Sequence, residues 1–188
     1  MAYDYGFEIM VKVYTKNSTL TYQYNKHADK STEIHFTVPF STETEKQITE
    51  IVLYNINPGH FNSIKRGDKV ELFAGYHDDN GLLMSGTIFR TSTPTLEDAD
   101  TAYTLRVLEG PDYTTLPKLN ITFAKGTYAE TIVREVARRA NMQLNIMNTN
   151  FNKRYDEEYT AEGHPLEILS QIAEDTKTSL FYLRGKLT

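Results

Sequence analysis

The residues able to do acid–base or metal chemistry are few and scattered. The histidines are five, His27, His35, His60, His77 and His164. None lies three or four residues from another, and no His-Glu-x-x-His occurs, so no helical pair of imidazoles is set up to seat zinc. His35 falls on the polar face of an alternating segment and is expected at the surface; His164 precedes a proline and is expected to cap a helix. Cysteine is absent, which excludes disulfides, thiolate metal ligands and a cysteine nucleophile. Asp78-Asp79-Asn80-Gly81 is acidic but lacks the alternating ligands and closing glutamate of an EF-type calcium loop, so a hairpin tip is expected there. Glu97, Asp98 and Asp100, and likewise Asp156-Glu157-Glu158, read as solvated carboxylates of connecting segments. No G-x-S-x-G, G-x-G-x-x-G or phosphate-loop pattern occurs. Tyr22 and Tyr24 share one face of an expected strand, as an interaction platform or as the face of an amphipathic sheet. The residues therefore point to a binding or structural role without a cofactor, metal or catalytic group, and do not say which.

The elements that would position these residues are of two kinds. Up to about residue 110 the pattern is one of strands. Ile9, Val11 and Val13 alternate with more polar neighbours, and Ile34, Phe36, Val38 and Phe40 do so most clearly. Pro39 cannot donate to a ladder and places that strand end at an edge or bulge. Ser41–Gln47 is a polar link, and Ile48–Ile56 is rich in β-branched residues. Asn57-Pro58-Gly59 ends that strand, and His60–Arg66 has the length of one helical turn. Gly67-Asp68 turns the chain into Lys69–Tyr76, where Val70, Leu72 and Ala74 share a face. Leu82–Arg90 is the return strand, Thr91–Asp100 a polar and acidic linker, and Tyr103–Leu108 the last strand. Around Pro111 and Pro117 the pattern changes. Thr127 and Glu130 have capping-box spacing ahead of a helix whose apolar stripe is Ile132, Val133, Val136, Ala137 and Ala140, with Asn141 as its stop. A second helix begins at Gly163-His164-Pro165, with Leu166, Leu169, Ile172 and Ala173 as its stripe. Leu180–Leu183 reads as a strand and Gly185-Lys186 as a turn. Strands followed by helices imply an α+β class, with a domain at 1–110 and a smaller one at 111–188.

The charge pattern narrows the partners. Twenty-five acidic residues against twenty basic ones give a net charge of −5, with no basic run to release counterions from nucleic acid. Apolar stretches stay far below the ~20 residues that span a bilayer, and Met1–Tyr5 shows no secretory pattern, so no membrane partner is expected.

Three phrases carry a resemblance: Leu53-Tyr54-Asn55, then Ile64-Lys65-Arg66-Gly67-Asp68-Lys69-Val70-Glu71-Leu72-Phe73-Ala74-Gly75-Tyr76, then Gly86-Thr87-Ile88. In order and spacing they resemble the first barrel of phage tail hub proteins, the late-control-protein-D-like family of the baseplate centre. The helix after Gly126, the segment Glu162–Leu169 and the ending Phe181–Leu187 resemble later phrases of the same family, so the likeness spans nearly the whole chain.

The resemblance implies a tube-type β-barrel over 1–110 and a small helix-containing module over 111–188. It implies a non-enzymatic hub or baseplate component in a virion or prophage tail, made in the bacterial host cytoplasm. Copies would form a ring, a trimer in the full hub, adapting a six-fold tail tube to a three-fold spike. Its partners would be itself, the tail tube and the spike or baseplate proteins, with DNA only as cargo in a mildly negative lumen. The residues it singles out for structure and assembly are Tyr54, Asn55, Gly67, Asp68, Val70, Leu72, Gly75, Tyr76 and Gly86. Gly67, Gly75 and Gly86 would allow turns or close approach, and Val70, Leu72, Phe73 and Ile88 would fill the barrel. The polar linkers Ser41–Gln47 and Thr91–Asp100 would reach adjacent subunits. Family members usually continue past the Gly-Lys-Leu hairpin into a second barrel. This chain is then a piece of a longer hub, or its partner half is separate. The alternative classes are a cell-wall glycan-binding module acting through tyrosines and a spike component of a contractile secretion system.

Overall fold

The computed structural model describes residues 6–25, 31–40, 47–76, 79–147 and 152–188. The chain forms two compact units, the first ending at Gly110 and the second built from Pro111–Thr188.

The first unit is an antiparallel sheet. Its strands are β1 (Phe7–Tyr14), β2 (Thr19–Asn25), β3 (Ile34–Thr37), β4 (Ile48–Tyr54), β5 (Lys69–Tyr76), β6 (Asp79–Thr91), β7 (Thr95–Glu97) and β8 (Asp100–Glu109). The order across the sheet is β2-β1-β5-β6-β8-β4-β3, with β7 also paired to β8. Period-two patterning sets which face is buried. Val11 lies opposite both Tyr22 and Leu72, and Ile51 opposite both Phe36 and Leu105, so apolar rows continue from strand to strand. Val11, Val13, Ile51, Leu53, Val70, Leu72, Met84, Leu105 and Val107 are fully buried in one core.

The closed cylinder expected from the resemblance is not what forms: the sheet is open, with β2 and β3 as its two edges. Among the described residues, a single backbone bond links β2 to the segment before β3, from Thr32 N–H to the Gln23 carbonyl (2.8 Å). The reason lies partly in β3, which is four residues long and stops two residues before Pro39, leaving little ladder for β2 to pair with. The open sheet still curls, because residues from both edge strands pack on the same core. Two bulges in β6 contribute to the bend. Leu72 and Phe73 pair with Met84 and Leu82, leaving Leu83 extra, and the second irregularity leaves Phe89 extra between Ile88 and Arg90.

Other expectations shift locally. Phe73 faces outward beneath the Lys12 ammonium (5.3 Å to the ring) rather than filling the core, because it alternates with buried Leu72. Asn80 and Gly81 lie within β6, opposite Gly75 and Ala74, since Tyr76 already pairs with Asp79; Asp78 is outside the described residues. The helical turn is α1 (Pro58–Ser63), starting earlier than His60 because the Asn57 side chain accepts from Gly59 N–H (2.7 Å). Its Phe61 enters the core edge-on to Tyr103, with centroids 4.9 Å apart.

The second unit has β9 (Leu119–Phe123) paired with β10 (Tyr159–Gly163), α2 (Ala129–Arg139), α3 (Pro165–Thr176) and a hairpin of β11 (Tyr182–Leu183) and β12 (Lys186–Leu187). Ile132, Val133, Val136, Ala137 and Ala140 of the α2 stripe are buried against Ile168, Leu169 and Ile172 in a core of their own. The capping box at Thr127 does not form. Thr127 Oγ1 instead donates to the Ala124 carbonyl (2.6 Å), and Tyr128 is the uncapped N-terminal residue. The reciprocal cap sits on α3: His164 Nδ1 accepts from Leu166 N–H (3.3 Å) and Glu167 accepts from His164 N–H (3.3 Å). Arg184 and Gly185, at φ 52° and 81°, make the final turn, one residue earlier than expected. The fold class is α+β, as read from the sequence.

Candidate assembly surface

Tyr54 and Asn55 end β4 and take hold of the neighbouring hairpin. Asn55 adopts φ 52°, a left-handed conformation that asparagine tolerates better than most residues. Its backbone N–H donates to the Thr101 carbonyl (3.0 Å), its Oδ1 accepts from Thr101 N–H (3.0 Å) and its Nδ2 donates to Asp100 (2.6 Å). The Tyr54 hydroxyl donates to Glu97 (3.1 Å). Desolvation, and then that bond to the Glu97 carboxylate, raise the Tyr54 hydroxyl above the ordinary phenol range. The stretch expected to be a linker, Thr91–Asp100, is therefore an ordered arm. β7 and β8 turn through Asp98 (φ 51°), and the two residues that close β4 fasten them at the turn end, through Glu97, Asp100 and Thr101. In the middle of β7, one residue before the turn-closing pair, Leu96 is 73% exposed, the most exposed large apolar side chain among the described residues. Sequence reasoning missed it; its only signal is a lone leucine in an acidic, polar stretch.

This clamp is testable. Asn55→Ala removes two side-chain hydrogen bonds and forces alanine to φ 52°, for an expected loss of about 2 kcal/mol. Asn55→Gly restores the backbone freedom but not the bonds and should lose about half as much. Urea denaturation measures both, and faster amide exchange at Thr101 would report the loosened arm.

The other residues singled out from the sequence fall elsewhere. Gly67 (φ 93°) and Asp68 form a turn in which Asp68 N–H donates to the Lys65 carbonyl (3.1 Å) and the Asp68 carboxylate accepts from Lys65 N–H (2.7 Å). Backbone bonds from Gly67 to Ile88 and from Ile88 to Asp68, both 2.8 Å, join this turn to β6. Val70 and Leu72 are core residues with no surface to offer. Tyr76, 54% exposed, meets Phe7 edge-on (5.8 Å) at the far end of β5. Gly75 and Gly86 are close-approach positions, where an added Cβ would collide with the carbonyl oxygens of Asp79 and Leu108 respectively. The singled-out residues thus divide among a clamp, a turn, a core and a strand end instead of one site.

The outer face of β1 and β5 carries a polar cluster that sequence reasoning also missed. Tyr14 and Lys69 donate to the two oxygens of Glu71, each at 2.7 Å. The Lys69 bond, followed by that from Tyr14, holds the Glu71 carboxyl below its usual range. The tyrosine platform takes a different form. Tyr22 is only 6% exposed, burial lifts its hydroxyl pKa to about 12, and that hydroxyl has no hydrogen-bond partner among the described residues. Tyr24 packs against the same core. His35 is exposed beside Glu33 (3.0 Å) as expected, while His27 and His77 lie outside the described residues. Among the described residues, no three His, Asp or Glu side chains are grouped to hold a metal, and no helix is long and apolar enough to cross a membrane.

The class defined by this geometry is an α+β chain with an open, curled antiparallel sheet and a separately cored second unit. No family model and no curated protein sequence matches the chain. Solved structures do. One similar structure is a tail protein from Neisseria meningitidis MC58, with TM-score 0.57 and 14% identity, covering 95% of this chain and 49% of that one. Another is the 43 kDa tail protein of prophage MuSo2 from Shewanella oneidensis, with TM-score 0.56 and 15% identity, covering 96% and 52%. The chain spans about half the length of each, and at these identities the likeness is one of fold.

Proposed function

We propose that the chain is a non-enzymatic structural component of a bacteriophage or prophage tail. In this reading it belongs to the hub or baseplate, where copies join into a ring between the tail tube and the spike or host-recognition part. The observation that carries the reading is an open sheet in which, among the described residues, β2 and β3 each pair with a strand on one side only, in a fold shared with two tail proteins across almost the whole chain. Unpaired edges are a liability in a monomer and are satisfied when a neighbouring copy completes them. DNA is then cargo in the bore rather than a ligand, in keeping with a net charge of −5 and no basic run.

Sedimentation velocity over a wide concentration range, with electron-microscopic class averages of the largest species, tests this. A concentration-dependent, closed cyclic assembly is expected. A chain that stays monomeric at the highest concentrations would sink the reading.

A further inference from the structure

The second unit bears an apolar groove of about 320 Å³ between α2, α3 and the C-terminal hairpin. Leu144, Ile146, Leu169, Ala173 and Phe181 line it, and Lys177 stands among its polar lining. The first unit bears the converse feature, the clamped β7–β8 arm, with Leu96 exposed one residue before the turn-closing pair and Asp98 in the turn itself. A knob and an apolar groove on the same chain make a heterologous contact, which repeats head to tail and closes into a ring where the rotation permits.

We propose that the groove receives the β7–β8 arm of a second copy, with Leu96 buried among the groove's aliphatic side chains and Asp98 against Lys177. The inference rests on the ring reading above and names the surfaces that would build it. Apolar shape and opposite charge select the same pairing, the first giving affinity and the second register. The arm meets the groove already ordered, because Asn55 and Tyr54 hold its turn end, so little freedom is lost on docking.

The absence of cysteine allows a direct test. Leu96→Cys and Ala173→Cys are made in separate full-length chains, mixed and mildly oxidised. Disulfide-linked dimers are expected from the mixture, and none from Leu96→Cys paired with Thr122→Cys on the exposed face of β9. In parallel, Leu96→Asp, at a solvent-exposed position that folding does not depend on, should weaken self-association on the order of thirty-fold. Lys177→Glu should weaken it as well. Intact self-association without the cross-link, or undiminished by Leu96→Asp, overturns this docking while leaving the ring reading standing. A chain that never associates overturns both. A doubly substituted chain that closes its disulfide internally shows the arm covering its own groove, and also overturns the proposal.

Discussion

Gly86→Ala is expected to destabilise the first unit by roughly 3 kcal/mol, more than any exposed substitution in it. Gly86 sits where β6 passes from β5 to β8, opposite Val70 on one side and Glu109 on the other. A methyl group there would overlap the Leu108 carbonyl oxygen and stand 2.9 Å from its carbon and 3.0 Å from Val107 Cγ1. Two of those three atoms are backbone in a central strand, so no side-chain rotation relieves the collision and β6 must part from β8. The midpoint of thermal unfolding should fall by roughly 10–20 °C, read by circular dichroism. Gly81→Ala is the control. Nothing lies within 4 Å of an added Cβ there and φ is not positive, so its effect should stay within about 0.5 kcal/mol. If Gly86→Ala proves as mild as Gly81→Ala, the close approach of β6 and β8 is wrong.

The second large effect is expected in the other unit. Ile132 is fully buried on the inner face of α2, in a core shared with Leu169 and Ile172. Ile132→Ala removes three carbons and leaves a cavity, for an expected loss of about 2–5 kcal/mol. The two cores have no residue in common. Amide exchange should therefore accelerate throughout α2 and α3 in this variant, while Leu72 and Leu105 in the first core keep their protection. Equal acceleration in both units would contradict separate cores.

What the sequence made legible was local and periodic. The alternation of Ile9, Val11 and Val13, and the helical stripe from Ile132 to Ala140, specify buried faces that tertiary packing then keeps. His164-Pro165 marked a helix start because a proline at the first helical position and a side-chain acceptor before it solve the same problem of unpaired N–H groups. The misses were contests between two local solutions. Thr127 had capping-box spacing to Glu130, yet its hydroxyl took the nearer Ala124 carbonyl. Asn80-Gly81 is a strong hairpin phrase, but the register of β5 on β6 put it inside the strand. That the sheet stays open was not legible at all, because it depends on how little of β3 joins the ladder and on the pairing of strands distant in sequence. The arm was invisible for a related reason: its turn end is tied by Tyr54 and Asn55, some forty residues away in the chain. The assembly residues followed the same division. Those that shape backbone were recognisable as glycines and asparagines, whereas Leu96 had no pattern to announce it.

The two margins of the sheet are unequal, and that inequality sorts the ways copies can meet. β2 offers seven residues of backbone, and β3 only four before the chain leaves the ladder. Two copies joined long margin to long margin would form a two-fold pair whose better templates are both spent, a dead end for growth. Joined long margin to short, each copy would still present one of each kind, and addition could continue. In such an assembly the shortness of β3 would act as a polarity mark, favouring the idle pair when copies meet without guidance and making guidance by a second contact worth having.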